Sequence, residues 1–179
     1  MTTTSPRSIV RSASVADAAA CAAVYRPYVL DTAITFETEP PDSAEMARRI
    51  AAALDTHAWL VLEDAGHVRG FAYGGPVKAR AAYRWSCEVS VYVERGRTRT
   101  GAGRLLYTAL FERLAQRGFA TAIAGMTLPN EASAGLHRAL GFAPVGTYRR
   151  IGYKLGAWHD VAWMQRDLAD TGDPPHEPR

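Results

Sequence analysis

The chain has only two cysteines among its 179 residues, and that scarcity already excludes several architectures. Cys21 sits in an alanine-rich helical segment and Cys87 in a strand. Neither has metal-ligand spacing, and a single pair cannot build a disulfide framework. Both read as reduced structural thiols, and no metal site is expected. Long uncharged apolar runs are also missing. Nothing is suited to span a bilayer, and the opening Met1–Arg7 has no apolar stretch behind it that would act as a secretory signal, so a cytoplasmic location is expected. Charge of one sign is not in large excess either. The net charge is +3 and the basic residues are scattered, apart from a cluster at 95–104, so no nucleic-acid surface is demanded. Internal repeats are lacking, as is the Gly-Lys-Ser/Thr ending that magnesium-bound triphosphate chemistry requires.

What is present fits one ordinary domain. The 47% hydrophobic and 22% charged composition can bury a real core, predicted over residues 1–170. Thr171–Arg179 is rich in proline and charge and predicts a disordered tail outside the fold. Ser8–Ser12 reads as a first strand, and Ser14-Val-Ala-Asp17 as a capping-box start to a helix that Pro27 kinks or ends. Ala44, Ala47, Ile50, Ala51 and Leu54 recur at helical spacing. Trp59–Glu63 and Val68–Tyr73 flank Asp64-Ala-Gly66-His67 as a hairpin, stopped by Gly74-Gly-Pro76. Arg84–Val93 alternates, with Trp85, Cys87, Val89, Val91 and Val93 on one face and Ser86, Glu88, Ser90 and Tyr92 on the other. A helix carrying Leu105, Leu106, Ala109, Leu110 and Leu114 ends at Gly118. Phe119–Ala124 is a strand, Glu131–Leu140 a short helix, and Val145–Lys154 with Trp158–Asp167 a late hairpin. This order is neither strict βα alternation nor all-β, so the predicted fold is mixed α/β with a largely antiparallel sheet.

The most informative junction lies where Val89–Val93 runs into Glu94–Arg104 and then into the apolar helix. A strand that breaks into a glycine-rich turn and reopens as a helix aims several backbone N–H groups at one spot, where the helix dipole favours negative charge. With Arg95, Arg97, Arg99 and Arg104 around it, this reads as a cradle for a pyrophosphate-bearing carrier.

Several segments, in order from about Arg11 to Leu168, carry a family resemblance. They are Phe36-Glu-Thr-Glu-Pro40, Lys78-Ala-Arg80 with Ala82-Tyr83, Val91-Tyr-Val93, Arg99-Thr-Gly-Ala-Gly103, Leu128-Pro-Asn130, His137 with Gly141-Phe142, and Trp158-His-Asp160-Val161. Together they resemble the GNAT superfamily of N-acetyltransferases, in particular its phosphinothricin and methionine sulfoximine acetyltransferase group. The resemblance implies a sheet splayed between its fourth and fifth strands, with acetyl-CoA as co-substrate in the gap. The superfamily's pyrophosphate signature is Gln/Arg-x-x-Gly-x-Gly/Ala. Here it reads Thr98-Arg99-Thr100-Gly101-Ala102-Gly103, departing at the first position. Arg99, Thr100, Gly101, Ala102, Gly103 and Arg104 would hold the pyrophosphate, mainly through N–H groups that bare glycines let approach closely. Val91 and Val93 would pair with the pantetheine amides as an added strand does, and Asn130 would anchor the same arm. A backbone N–H of the Tyr92–Val93 segment would polarise the acyl carbonyl.

For the chemistry, the resemblance makes Glu88 the general base, with burial raising its pKa toward useful basicity. His137 stands where many relatives carry a thiolate-protonating tyrosine; it can donate to the thiolate or assist the base. Lys78, Arg80 and Tyr83 would read an anionic or strongly polar acceptor, with Phe36, Tyr92 and Val161 lining its aliphatic part. Gly125-Met126-Thr127 differs from phosphinothricin-detoxifying enzymes, which leaves the acceptor's identity open. The expected activity is acetylation of the α-amine of a small amino-acid analogue by a homodimer. Alternatives are a related enzyme for a polyamine, an aminoglycoside or a protein N-terminus, or a non-catalytic acyl-CoA-binding sensor.

Overall fold

The computed structural model describes residues 8–97, 100–170 and 172–179. Strand β1 (Ile9–Ser12) leads through a 3-10 turn at Val15–Asp17 into helix α1 (Ala18–Asp31), which is followed by α2 (Ser43–Thr56). Strands β2 (Ala58–Asp64), β3 (His67–Pro76) and β4 (Ser86–Val93) come next, then α3 (Ala102–Gln116), β5 (Thr121–Thr127) and α4 (Glu131–Ala139). The late hairpin is β6 (Ala143–Lys154) and β7 (Ala157–Asp167). These strands form one open sheet in the order β1-β2-β3-β4-β5-β7-β6. Every neighbouring pair is antiparallel except β4–β5, so the sheet is the mixed, largely antiparallel one that the element order predicts.

Helices cover both faces. On one, α3 buries Leu106, Leu110 and Leu114 against Val89, Ala122 and Ala124, each such leucine contributing roughly 1.5–3 kcal/mol relative to exposure. On the other, α1 and α2 bury Val29, Met46 and Ile50 over Val61 and Phe71. The α2 stripe predicted from its sequence is shifted: Met46 and Ile50 are its buried residues, while Ala44 and Ala51 face solvent. Leu105, expected among the buried leucines of α3, is 52% exposed. Burial pushes both cysteine thiols up to about 12, which makes them inert.

Local chemistry sets the boundaries. The Ser14 N–H donates to Asp17 Oδ2 at 2.8 Å, and Arg11 forks onto both Asp17 oxygens at 2.8 and 2.9 Å. The hairpin turns at Ala65-Gly66 and Leu155-Gly156 have positive φ at both residues, the geometry whose twist matches flanking strands. Gly118, in the left-handed region, closes α3, with Phe119 N–H donating to Leu114 C=O and Gly118 N–H to Ala115 C=O.

Neither expected terminator ends its element. Helix α1 passes through Pro27, because the carbonyl that loses its donor belongs to Ala23 on the exposed face, while Tyr25 and Val29 are buried on either side. Strand β3 runs through Gly74 and Gly75 to Pro76, held by its ladder to β4, with Gly75 opposite Glu88 and Pro76 opposite Cys87. Residues 172–179, for which the sequence predicts a disordered tail, run back along the body: Glu177 receives the Arg84 fork, and His176 C=O accepts from the Trp85 indole at 2.8 Å. Among the described residues, no helix is long and apolar enough to cross a membrane.

Candidate active site

The site is built where the sheet changes direction. Strands β4 and β5 pair only at Ser86–Thr121, Cys87–Ala122 and Glu88–Ile123, although β4 continues to Val93 and β5 to Thr127. Beyond Glu88 the two strands part. Between them lies a narrow cleft lined by Val91, Tyr107, Met126, Asn130 and His137. Glu94 N–H donates to Arg69 C=O at 2.7 Å, so by the alternation of an antiparallel ladder the amide groups of Val91 and Val93 face the cleft and those of Tyr92 face β3. One of these groups already has a partner, since the Tyr28 hydroxyl donates to Val93 C=O at 2.5 Å.

At the end of β4 the chain turns into α3. Gly101 is its N-cap in the left-handed region with no side chain capping it, and the first-turn amides of Ala102, Gly103 and Arg104 have no acceptor within the helix. Thr100 Oγ1 donates to Arg97 C=O at 2.7 Å and fixes the turn. The arginine cluster is only partly aimed here. Arg95 is paired with Asp31 at 3.0 Å and Arg97 with Asp64 at 2.7 Å, leaving exposed Arg104 on the first turn; Arg99 lies outside the described residues.

On the opposite side of β4 its polar face opens onto a cavity of about 410 Å³. Glu88, Ser90 and Tyr92 form its floor, Gly125, Thr127 and Trp163 one wall, and Val161, Tyr148 and Ile151 another. The last two are aimed by a bulge in β6, where Arg150 takes a positive φ and its N–H donates to Asp160 Oδ1 at 2.8 Å. The lid is the segment between α1 and α2, which supplies Ile34, Thr35, Phe36 and Glu37. Phe36, 38% exposed, lies so close over Gly152 that a Cβ there would sit 2.2 Å from its ring. Lys154, 6% exposed, donates from Nζ to Thr35 C=O at 2.7 Å and straps the lid to the hairpin. From the helix side, the Tyr25 hydroxyl meets Thr35 Oγ1 at 2.6 Å and Arg49 forks onto Glu37.

Glu88 is half-buried at the point where the cavity meets the splayed strands. Burial raises its pKa from the ordinary carboxylate value, and the positive charge of Lys78 opposes that shift. His137 is 3% exposed, boxed by the rings of Tyr107 and Phe142, with centroids at 5.4 and 5.0 Å. Its Nδ1 lies 2.7 Å from Ser133 C=O, which can only accept, so Nδ1 carries the proton. Burial lowers its pKa, and Nε2 is a buried lone pair without a partner. Asn130 caps α4, its Oδ1 accepting from Ser133 N–H at 3.1 Å.

The predicted site residues therefore fall into three groups. Glu88, Tyr92, Phe36 and Val161 share the large cavity; Val91, Asn130 and His137 share the cleft. Lys78, Arg80 and Tyr83 line a different cavity of about 340 Å³, together with Arg84 and Glu177. The sequence did not single out Tyr25, Glu37, Tyr73, Tyr148 or Trp163 as cavity residues, since each reads locally as core or surface. Glu37 alone carried a signal, standing beside Phe36 in a segment that bears the family resemblance.

Residues 10–163 match the family model described as an acetyltransferase (GNAT) domain. Among characterised proteins, the chain is 42% identical over 159 residues to a phosphinothricin N-acetyltransferase of Streptomyces viridochromogenes, covering 89% of this chain and 87% of that one. It is 36% identical over 168 residues to an L-methionine sulfoximine/L-methionine sulfone acetyltransferase of Pseudomonas paraeruginosa, covering 93% and 98%. A crystal structure of a GNAT phosphinothricin acetyltransferase from Sinorhizobium meliloti in complex with AcCoA superposes with a TM-score of 0.88 at 35% identity, covering 96% of this chain and 93% of that one. Splayed strands, bare helix start and a half-buried carboxylate between them thus come with likeness along nearly the whole sequence, and the chain belongs to the GNAT acetyltransferase family.

Proposed function

We propose that this protein transfers the acetyl group of acetyl-CoA directly to the α-amine of a small amino-acid analogue of the phosphinothricin or methionine sulfoximine type. The observation that carries this reading is the placement of Glu88. Its carboxylate stands on the floor of the cavity of about 410 Å³ at the last paired position of β4 and β5, with a pKa raised by burial toward that of a working base. The relatives with these substrates in their names supply the acceptor class.

In this scheme the pyrophosphate rests on the unpaired amides of Ala102, Gly103 and Arg104, and the pantetheine arm pairs with the cleft-facing groups of Val91 and hydrogen-bonds to the Asn130 amide. Glu88 takes a proton from the acceptor's ammonium. The freed amine forms the N–C bond to the acyl carbon, whose oxygen draws on a cleft-facing amide of β4; as the C–S bond breaks, the proton in excess on nitrogen leaves it and neutralises the departing thiolate. His137 enters neutral, with a bare Nε2. The tautomer favours a base-side role, because the ring can return a proton to the thiolate only after it has taken one. Lys78 contributes charge near Glu88, and with Arg80 and Tyr83, on the cavity of about 340 Å³, it would read the acceptor's second polar group.

We further propose a cytoplasmic homodimer. Supporting it are the exposed large apolar residues of the β6–β7 hairpin, Val145, Tyr153, Leu155 and Trp158 among them. The decisive experiment is a free-thiol release assay with acetyl-CoA against methionine sulfoximine, phosphinothricin, ordinary amino acids and polyamines. Glu88→Gln is expected to lower kcat by about 10²–10⁴-fold with the best acceptor. Unchanged turnover at neutral pH overturns the assignment.

A further inference from the structure

We infer that a second cavity, beside the first and over β3, takes the apolar side chain of the acceptor, so that the accepted amines include those bearing leucine-sized to aromatic groups. This rests on Glu88 acting on the amine. The cavity measures about 460 Å³, within the range of small-molecule sites, and lies between α2 and the sheet. Met46, Trp59 and Phe71 line it, and Tyr25, Tyr73 and Tyr92 line both cavities. Arg49, the cation among its described lining residues, is already engaged by Glu37 and Glu45. Burial lowers the pKa of His57 and keeps it neutral near pH 7. The walls therefore suit an apolar group.

Of two adjacent glycines, the second points to a ligand. A Cβ on Gly74, which points to the α3 face, would stand 3.0 Å from Leu114, so tight packing favours glycine there. A Cβ on Gly75 would meet nothing within 4 Å. Packing does not require this second glycine, and in a strand interior it costs stability. Gly75 is directly opposite Glu88 in the β3–β4 ladder, on the face of Tyr73. Paired residues on one face have Cβ positions about 5 Å apart, so a side chain at 75 would stand beside the carboxylate and close the way from one cavity to the other. Its absence leaves open floor from the reacting amine to the aromatic wall.

The test uses L-alanine, L-leucine and L-phenylalanine as acceptors with the full chain. The Gly75→Val variant, which fits a strand, is expected to lower the ratio of kcat/KM for phenylalanine to that for alanine at least tenfold. Ala53→Leu, which fills the cavity from α2, is expected to do the same. Saturation-transfer NMR of phenylalanine binding, with thermal melts of each variant, gives a readout free of turnover. Binding by the parent protein that Gly75→Val abolishes at unchanged melting temperature supports the placement of the side chain in this cavity, whereas failure of every acceptor, methionine sulfoximine included, to release thiol sinks the Glu88 reading instead. No phenylalanine binding by the parent protein, or a ratio unmoved in both variants, overturns it.

Discussion

Replacing Gly152 by alanine tests how the lid is seated. The backbone at 152 lies outside the left-handed region, so alanine adds no backbone strain; what it adds is a methyl group 2.2, 2.4 and 2.7 Å from three carbons of the Phe36 ring. Carbon atoms pack at about 3.5–4.0 Å, so the ring must retreat by roughly 1.3 Å or rotate out. Phe36 is 38% exposed, hence it can move without unfolding its surroundings, forfeiting part of the roughly 1.5–3 kcal/mol that a buried phenylalanine contributes. About 1.4 kcal/mol of lost acceptor binding is a tenfold rise in KM. The expected outcome is an acceptor KM raised about tenfold, with the KM for acetyl-CoA within twofold, measured by initial rates of thiol release. Lys154→Met, which leaves Thr35 C=O without its donor, is expected to give the same split from the other end of the strap. An equal rise in both KM values, or no change in either, refutes the claim that Phe36 seated on Gly152 shapes the acceptor site.

Two further outcomes follow from charge. Lys78 holds down a Glu88 pKa that burial raises, so Lys78→Met is expected to move the acid limb of the kcat/KM–pH profile to higher pH; a limb that stays in place or moves down contradicts the coupling. Asp17 has its pKa lowered chiefly by its hydrogen bond to Arg11, so its contribution to stability is present above the unfolded carboxylate pKa and is lost as pH falls through the lower folded value. Asp17→Asn is expected to cost about 1–3 kcal/mol in urea melts at pH 7 and progressively less in acid, whereas a penalty independent of pH argues against the ion pair as its source.

Periodicity made most of the architecture readable. The alternation over β4 separated Cys87 and Val89 from Glu88 and Ser90 correctly, and glycine placed both hairpin turns. Errors arose where tertiary packing overrode a local signal. Pro27 and the Gly74–Pro76 run look like terminators, yet α1 and β3 persist because burial and the β4 ladder hold them. Leu105 looks apolar enough for the core but falls on the outer side of α3. In the site, residues of one strand or one motif were legible: Glu88, Tyr92 and His137. The grouping of Tyr25, Glu37, Tyr73 and Trp163 was not, since it brings together α1, the lid, β3 and β7, and no pattern along the chain records that meeting.

The bulge in β6 has a bearing on how the molecule behaves when crowded. A twelve-residue border strand studded with tyrosine and isoleucine would invite endless stacking of copies rung upon rung. At Arg150 the rhythm breaks, and its amide is already occupied by Asp160. A copy laid along this rim would lose its register at the interruption, which works against a growing fibre.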